Sequence, residues 1–255
     1  ALWHPNGTLV KTPSTAKVYL IEDGRARWIE TQDVFWSLGY DFDELAAISD
    51  DELQCMGEGE SINEEGFVDA VQDTSGAYWL IFGTSSDANR FRVRVSSDSW
   101  EEVLSSWGLS YNASNPPSSA SSTHSYFTGW SEASGIAGFR EGSLVTEAST
   151  SDVYFISEGV AVPILDWETY LLLGFYHRTV YAVNDGVISD IQGDVGSCRA
   201  GVWCLDQEAI TSCGGGLDLG SGGEYGGSED EDVIEEEEET EDDPERGLVA
   251  VDFRA

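Results

Sequence analysis

The sequence predicts an α+β fold, mainly β, built from tandem small modules. Each module is a β-hairpin or three-stranded sheet plus short helices, and an acidic flexible C-terminal segment follows. Three observations carry this expectation: a stretch that returns at a constant offset, β-branched and aromatic runs broken by Asp-Gly or Glu-Gly, and an abrupt change of composition after Cys213.

Residues Gly7 to Tyr40 align without a gap on Gly142 to Phe175, at an offset of 135, with 13 of 34 positions identical. Gly7 or Gly142 opens a short strand carrying Leu-Val, and a Ser/Thr-containing turn follows. Val18-Tyr19-Leu20-Ile21 has the β-branched and aromatic composition of a strand. Glu22-Asp23-Gly24 is a turn, since glycine adopts the positive φ of a tight hairpin. Arg25 to Ile29 returns. Thr31 then caps a short helix with Val34, Phe35 and Leu38 on its inner side, and Gly39 ends it. Ile48-Ser49-Asp50-Asp51-Glu52-Leu53 reads as an apolar anchor and a capped turn whose acids suit the helix dipole. The same offset gives Val183-Asn184-Asp185 and Ile188.

A weaker copy lies between. Ala77-Tyr78-Trp79-Leu80-Ile81 matches the first hairpin strand, Arg90 to Val95 the second, and Trp100 to Leu109 the closing helix, with a longer hairpin loop. A module of about sixty residues is small for a lone domain, so the copies are expected to pack on one another. The organisation expected is module 1 over 1–63, a divergent module over 64–111, a Ser/Pro-rich linker or loop over 112–135 and module 2 over 136–212. A Gly-rich and acidic tail over 213–246 and a docking strand over 247–255 complete it.

The pattern G-x-L-V…V-Y-x-I-x-x-G…V-F-x-x-L-G-Y, followed by I-S-D-x-E-L, resembles short repeats of bacterial secreted, envelope and surface-layer-like proteins. The resemblance covers Gly7 to about Leu53 and Gly142 to about Ile188. It implies a location outside the cell and a spacer or attachment role, and it carries no catalytic residues. Arg25-Ala26-Arg27 keeps part of the basic stretch that several such repeats carry after the hairpin glycine; Val160-Ala161-Val162 does not.

Charge narrows the partners. There are 48 acidic and 12 basic residues, for a net charge of -36, and only 13 of the acids fall in Glu229–Glu245. The folded part is therefore acidic too. Such a surface repels nucleic acid phosphates and anionic lipid heads, so no nucleic acid partner is expected. No apolar run approaches the length of a membrane helix, so no membrane insertion is expected. The start at Ala1 reads as a mature N-terminus after signal-peptide removal. Cys55, Cys198, Cys204 and Cys213 are even in number and lack C-x-x-C spacing, which in an exported chain favours disulfides over free thiols or zinc.

His4, His124 and His177 assemble no triad, and no G-x-S-x-G, H-E-x-x-H, P-loop or G-x-G-x-x-G is present. The chain is not expected to be an enzyme or to hold a cofactor. Asp185, Asp190 and Asp194 are candidate calcium ligands, although they lack EF-hand spacing and the repeat already accounts for Asn184 and Asp185 as helix caps. Leu248, Val249, Ala250, Val251 and Phe253 are candidates for a strand that docks on a sheet edge. The trend favours a secreted structural or assembly protein of a cell surface, fibre or matrix, with self-association or other envelope proteins as partners. The alternative is an extracellular module that binds glycans or divalent cations.

Overall fold

The computed structural model describes residues 4–83, 90–121 and 124–192. The chain divides into two units, Ala1–Gly222 and Gly223–Ala255, and the described residues all lie in the first. They are mainly β, in three small sheets with short helices.

The first sheet contains β1 (Leu9–Lys11), β2 (Val18–Glu22), β3 (Arg25–Ile29) and β4 (Leu45–Ala47), in the order β3-β2-β1-β4. β1 and β2 pair antiparallel, as do β2 and β3, whereas β4 runs parallel to β1. Asp23 and Gly24, both at positive φ, form the two-residue hairpin turn. Helix α1 (Gln32–Ser37) crosses from β3 towards β4; Thr31 Oγ1 accepts from the Val34 N–H at 3.2 Å. Helix α2 (Asp50–Met56) follows β4, with Ser49 Oγ accepting from Glu52 N–H at 3.1 Å. Alternation in the strands sends Leu9 towards Val34 and Phe35 on one face, and Val10, Tyr19 and Ile21 towards Ile48 and Met56 on the other.

The middle sheet has β5 (Val68–Asp73), β6 (Tyr78–Phe82), β7 (Phe91–Arg94), β8 (Ser119–Ala120) and β9 (Ser131–Ile136), in the order β8-β5-β6-β7-β9. Its β8-β5-β6-β7 portion repeats the connectivity of the first sheet, down to the parallel β5–β8 pair. Helix α3 (Trp100–Ser106) stands where α1 stands in the first module, and α4 (Ser125–Thr128) precedes β9. The segment 112–135, expected as a linker or loop, thus belongs largely to the middle module. Its strands β8 and β9 complete that sheet, the second by running parallel to β7.

The third sheet reproduces the first. Strands β10 (Leu144–Glu147), β11 (Val153–Ser157), β12 (Val160–Ile164) and β13 (Val180–Val183) lie in the order β12-β11-β10-β13. Helices α5 (Trp167–Leu172) and α6 (Val187–Gln192) match α1 and α2. Leu9↔Leu20 in one sheet becomes Leu144↔Phe155 in the other, and Leu9↔Leu45 becomes Leu144↔Val180, all at the offset of 135. The largest core joins modules: Leu80, Val103 and Leu104 of the middle sheet pack with Val145, Ile156 and Ile188 of the third. Burying such apolar side chains contributes roughly 1.5–3 kcal/mol each, so this shared core ties the modules together.

First and third modules meet backbone to backbone. A Cβ on Gly142 would lie 2.1 Å from the Gly7 carbonyl oxygen, and one on Gly7 would lie 2.5 Å from the Gly142 nitrogen. Both residues have positive φ, so glycine is required twice over, for conformation and for space. Asn6 sits beside this contact. Its Oδ1 accepts from Gly24 N–H at 3.0 Å and its Nδ2 donates to Glu158 Oε1 at 2.6 Å, so the side chain of this Asn-x-Thr sequence is already engaged. Glu141, the repeat partner of Asn6, accepts from Gly159 N–H at 2.5 Å and braces the equivalent hairpin. Burial pushes the Glu141 carboxyl above its ordinary range, against those two backbone donors from Gly159 and Glu158. Among the described residues no helix is long and apolar enough to cross a membrane.

Candidate functional site

Two features stand out where the three modules meet and on the outer face of the third. The first is a cleft of about 500 Å³. Its walls come from the end of α1 (Trp36, Tyr40), from the end of α3 (Ser105, Leu109) and from the third module (Arg140, Arg178). Glu44 is placed there by a 3-10 turn, Phe42–Glu44, that Asp41 caps. Arg140 Nη2 donates to Glu44 Oε1 at 2.5 Å and Oε2 at 2.6 Å, and its guanidinium lies 4.2 Å from the Tyr40 ring centroid. Arg178 Nη2 donates to the Gly142 carbonyl and lies 3.6 Å from Glu44 Oε2.

The electrostatics of the cleft follow from burial. Arg140 is 4% exposed and Arg178 8%, so two guanidiniums share one carboxylate in a place largely closed to water. Burial, aided by the like charge of Arg140, lowers Arg178 to about 10, with Glu44 opposing. Burial raises Tyr40 to about 12, although Arg140 pulls it the other way. Arg178 still stays charged at neutral pH, and desolvating such a charge is costly unless hydrogen bonds compensate.

The second feature is the face around α5. Leu165, Trp167, Leu171, Leu172 and Tyr176 are between 43% and 63% exposed. At the matching positions the first module carries Glu30, Gln32, Trp36, Ser37 and Asp41. Four of the five positions therefore change from polar to apolar between two copies of one fold. Core packing does not ask for this, because all five side chains point outward.

The residues singled out from sequence are distributed otherwise. Asp185 Oδ1 accepts from Ser149 N–H at 2.9 Å, and the matching Asp50 Oδ1 accepts from Ser14 Oγ at 2.5 Å. The repeat uses this aspartate to brace the turn after its first strand. The side chain of Asp190 and all of Asp194 lie outside the described residues. Among the described residues no group of three or more His, Cys, Asp or Glu could hold a metal ion. Cys55, on α2, is disulfide-bonded; Cys198, Cys204 and Cys213 lie outside the described residues. So do Leu248, Val249, Ala250, Val251 and Phe253. His177 is exposed next to Tyr176.

Sequence reasoning missed Arg140 and Arg178 and their contact with Glu44. A signal was present. With only 12 basic residues in the chain, Arg178 stands where the first module has Asp43, and Arg140 where it has Pro5. Two scarce cations introduced into one copy mark a position under special demand. No protein-family model matches the chain, and no curated protein is similar enough to be paired with it.

Proposed function

We propose that this chain is a secreted assembly protein of a cell surface, fibre or extracellular matrix, and that its copies join through the α5 face of the third module. It acts by association and not by catalysis. The observation that carries the reading is the exchange of Glu30, Gln32, Ser37 and Asp41 for Leu165, Trp167, Leu172 and Tyr176. An apolar face carried by every copy can close into a two-fold contact between identical chains. Trp and Tyr supply contact area at small entropic cost, as in other association surfaces.

Further support is indirect. The disulfide at Cys55 suits an oxidising compartment. The net charge of -36 opposes contact between copies, so association should strengthen as salt screens it, with a Debye length of about 10 Å at 0.1 M.

The test exchanges the face for that of its sister module: Leu165→Glu, Trp167→Gln, Leu172→Ser and Tyr176→Asp together. Sedimentation of the full chain at rising protein and salt concentration should show a concentration-dependent dimer or larger species. The exchanged chain should remain monomeric with an unchanged far-UV spectrum. A wild-type chain that is monomeric at all concentrations, or an exchanged chain that associates as well, would reject the reading.

A further inference from the structure

A buried polar atom without a partner costs free energy, so native folds contain few, and a concentration of them in one place needs a cause. Among the described residues eleven buried side-chain nitrogen or oxygen atoms lack a hydrogen-bond partner. Five of the eleven belong to three residues that line the junction cleft: Nε and Nη1 of Arg140, Nε and Nη1 of Arg178, and Oγ of Ser143. All three side chains are more than nine-tenths buried.

The charges do not balance either. Arg140 and Arg178 together carry two positive charges, and among the described residues Glu44 is the one carboxylate in contact with them. Asp41 and Asp43 also line the cleft but are exposed at its rim, and Asp41 Oδ1 is occupied by the Asp43 N–H at 2.9 Å. One buried positive charge is therefore left over, beside four unused N–H-bearing nitrogens and a hydroxyl.

We propose that the cleft is a binding site for a small monocarboxylate, held by Arg140, Arg178 and Ser143, with Glu44 occupying part of the anion position in its absence. Planar carboxylates match the guanidinium fork, and charge-assisted hydrogen bonds of this kind are about twice as strong as neutral ones. The excess of a single charge sets the ligand's valence. The rim carboxylates Asp41 and Asp43 disfavour dianions such as sulfate and phosphate, and long polyanions are repelled by the chain as a whole. Trp36, Tyr40 and Leu109 offer an apolar and aromatic wall, so a carboxylate with a flat apolar body fits better than acetate. Admitting the ligand requires Glu44 to turn outward, which its partial exposure allows.

Sodium benzoate is the probe, titrated into the full chain against sodium chloride at equal ionic strength. Binding is read by the melting temperature and by the Nε–H resonances of the arginines. The expected result is a benzoate-dependent rise in melting temperature with shifts confined to two arginine Nε–H signals. Glu44→Gln removes the internal competitor and should tighten benzoate binding by roughly tenfold, as expected for a charge removed beside a bound anion at close range. Ser143→Ala should weaken it severalfold. Arg140→Gln should abolish it, and if that variant does not fold, the Glu44→Gln and Ser143→Ala titrations decide alone. Equal effects of chloride and benzoate, or a Glu44→Gln variant that binds benzoate no better than wild type, would overturn the proposal.

Discussion

His4 and Glu52 form a pair that the third module does without. His4 Nδ1 lies 2.7 Å from Glu52 Oε1, with the residues only 1% and 3% exposed. The contact is short but poorly directed. Neither atom meets hydrogen-bond geometry, and His4 Nε2 also lacks a partner. At the offset of 135 the same two positions hold Phe139 and Val187, both buried in the core that joins the middle and third modules. One scaffold therefore accepts an ionisable pair in one copy and an apolar pair in another. Removing one partner of a buried pair costs about 3–5 kcal/mol, because the other is left uncompensated, whereas an apolar replacement of both is often neutral or stabilising by about 1–4 kcal/mol. His4→Phe alone and Glu52→Val alone should each destabilise by about 3 kcal/mol or more. The double variant should regain wild-type stability or exceed it. For a unit of this size, 1 kcal/mol moves the melting temperature by about 2–4 °C. Urea unfolding at pH 7 of the four chains of this cycle measures the coupling directly. A double variant whose loss equals the sum of the single losses would refute the reasoning, since the positions would then not be equivalent.

Other outcomes follow from the same repeat. Gly142→Ala should cost about 3 kcal/mol, from crowding at the Gly7 carbonyl added to positive φ. Gly24→Ala, also at positive φ but with open space around its Cβ, should cost about 1–2 kcal/mol; equal losses in thermal melts would show that modules 1 and 3 do not meet as described. Asp73 is depressed to about 2: burial works against this, but hydrogen bonds from Ser75, the Trp79 indole and the Ala77 and Ser75 amides outweigh it. A carboxylate lowered on folding stabilises above its ordinary value near 3.8, and that contribution disappears as pH falls through about 2. With solvent screening allowed for, Asp73→Asn should cost about 1–2 kcal/mol at pH 7 and almost nothing at pH 2. A loss that is the same at both values would contradict the role.

The modules were legible because their signals are local and redundant. Val18 to Ile21 and Val153 to Ile156 are β-branched and aromatic, the intervening Asp-Gly and Glu-Gly demand a tight turn, and Thr31 and Ser49 are strong capping residues. Strands β8 and β9 were not legible. β8 has two residues, and Ser131-Glu132-Ala133-Ser134-Gly135-Ile136 is an almost wholly exposed edge strand with no alternation to read. Composition alone made that segment look like a linker. The pairing of His4 with Glu52 was hidden for a different reason. Glu52 follows Asp50 and Asp51, and all three look like acids complementing a helix dipole, whereas the fold buries only the third. Glu44, Arg140 and Arg178 come from two modules some hundred residues apart, and no periodic pattern within one module reports a contact between two.

Association through α5 is most directly examined with a photo-crosslinking amino acid in place of Trp167, in the full chain near physiological salt. The account predicts covalent dimers whose crosslinked peptides join residues 165–176 of one copy to residues 165–176 of another. Crosslinks confined to a single chain, or joining α5 to an unrelated surface, would contradict it.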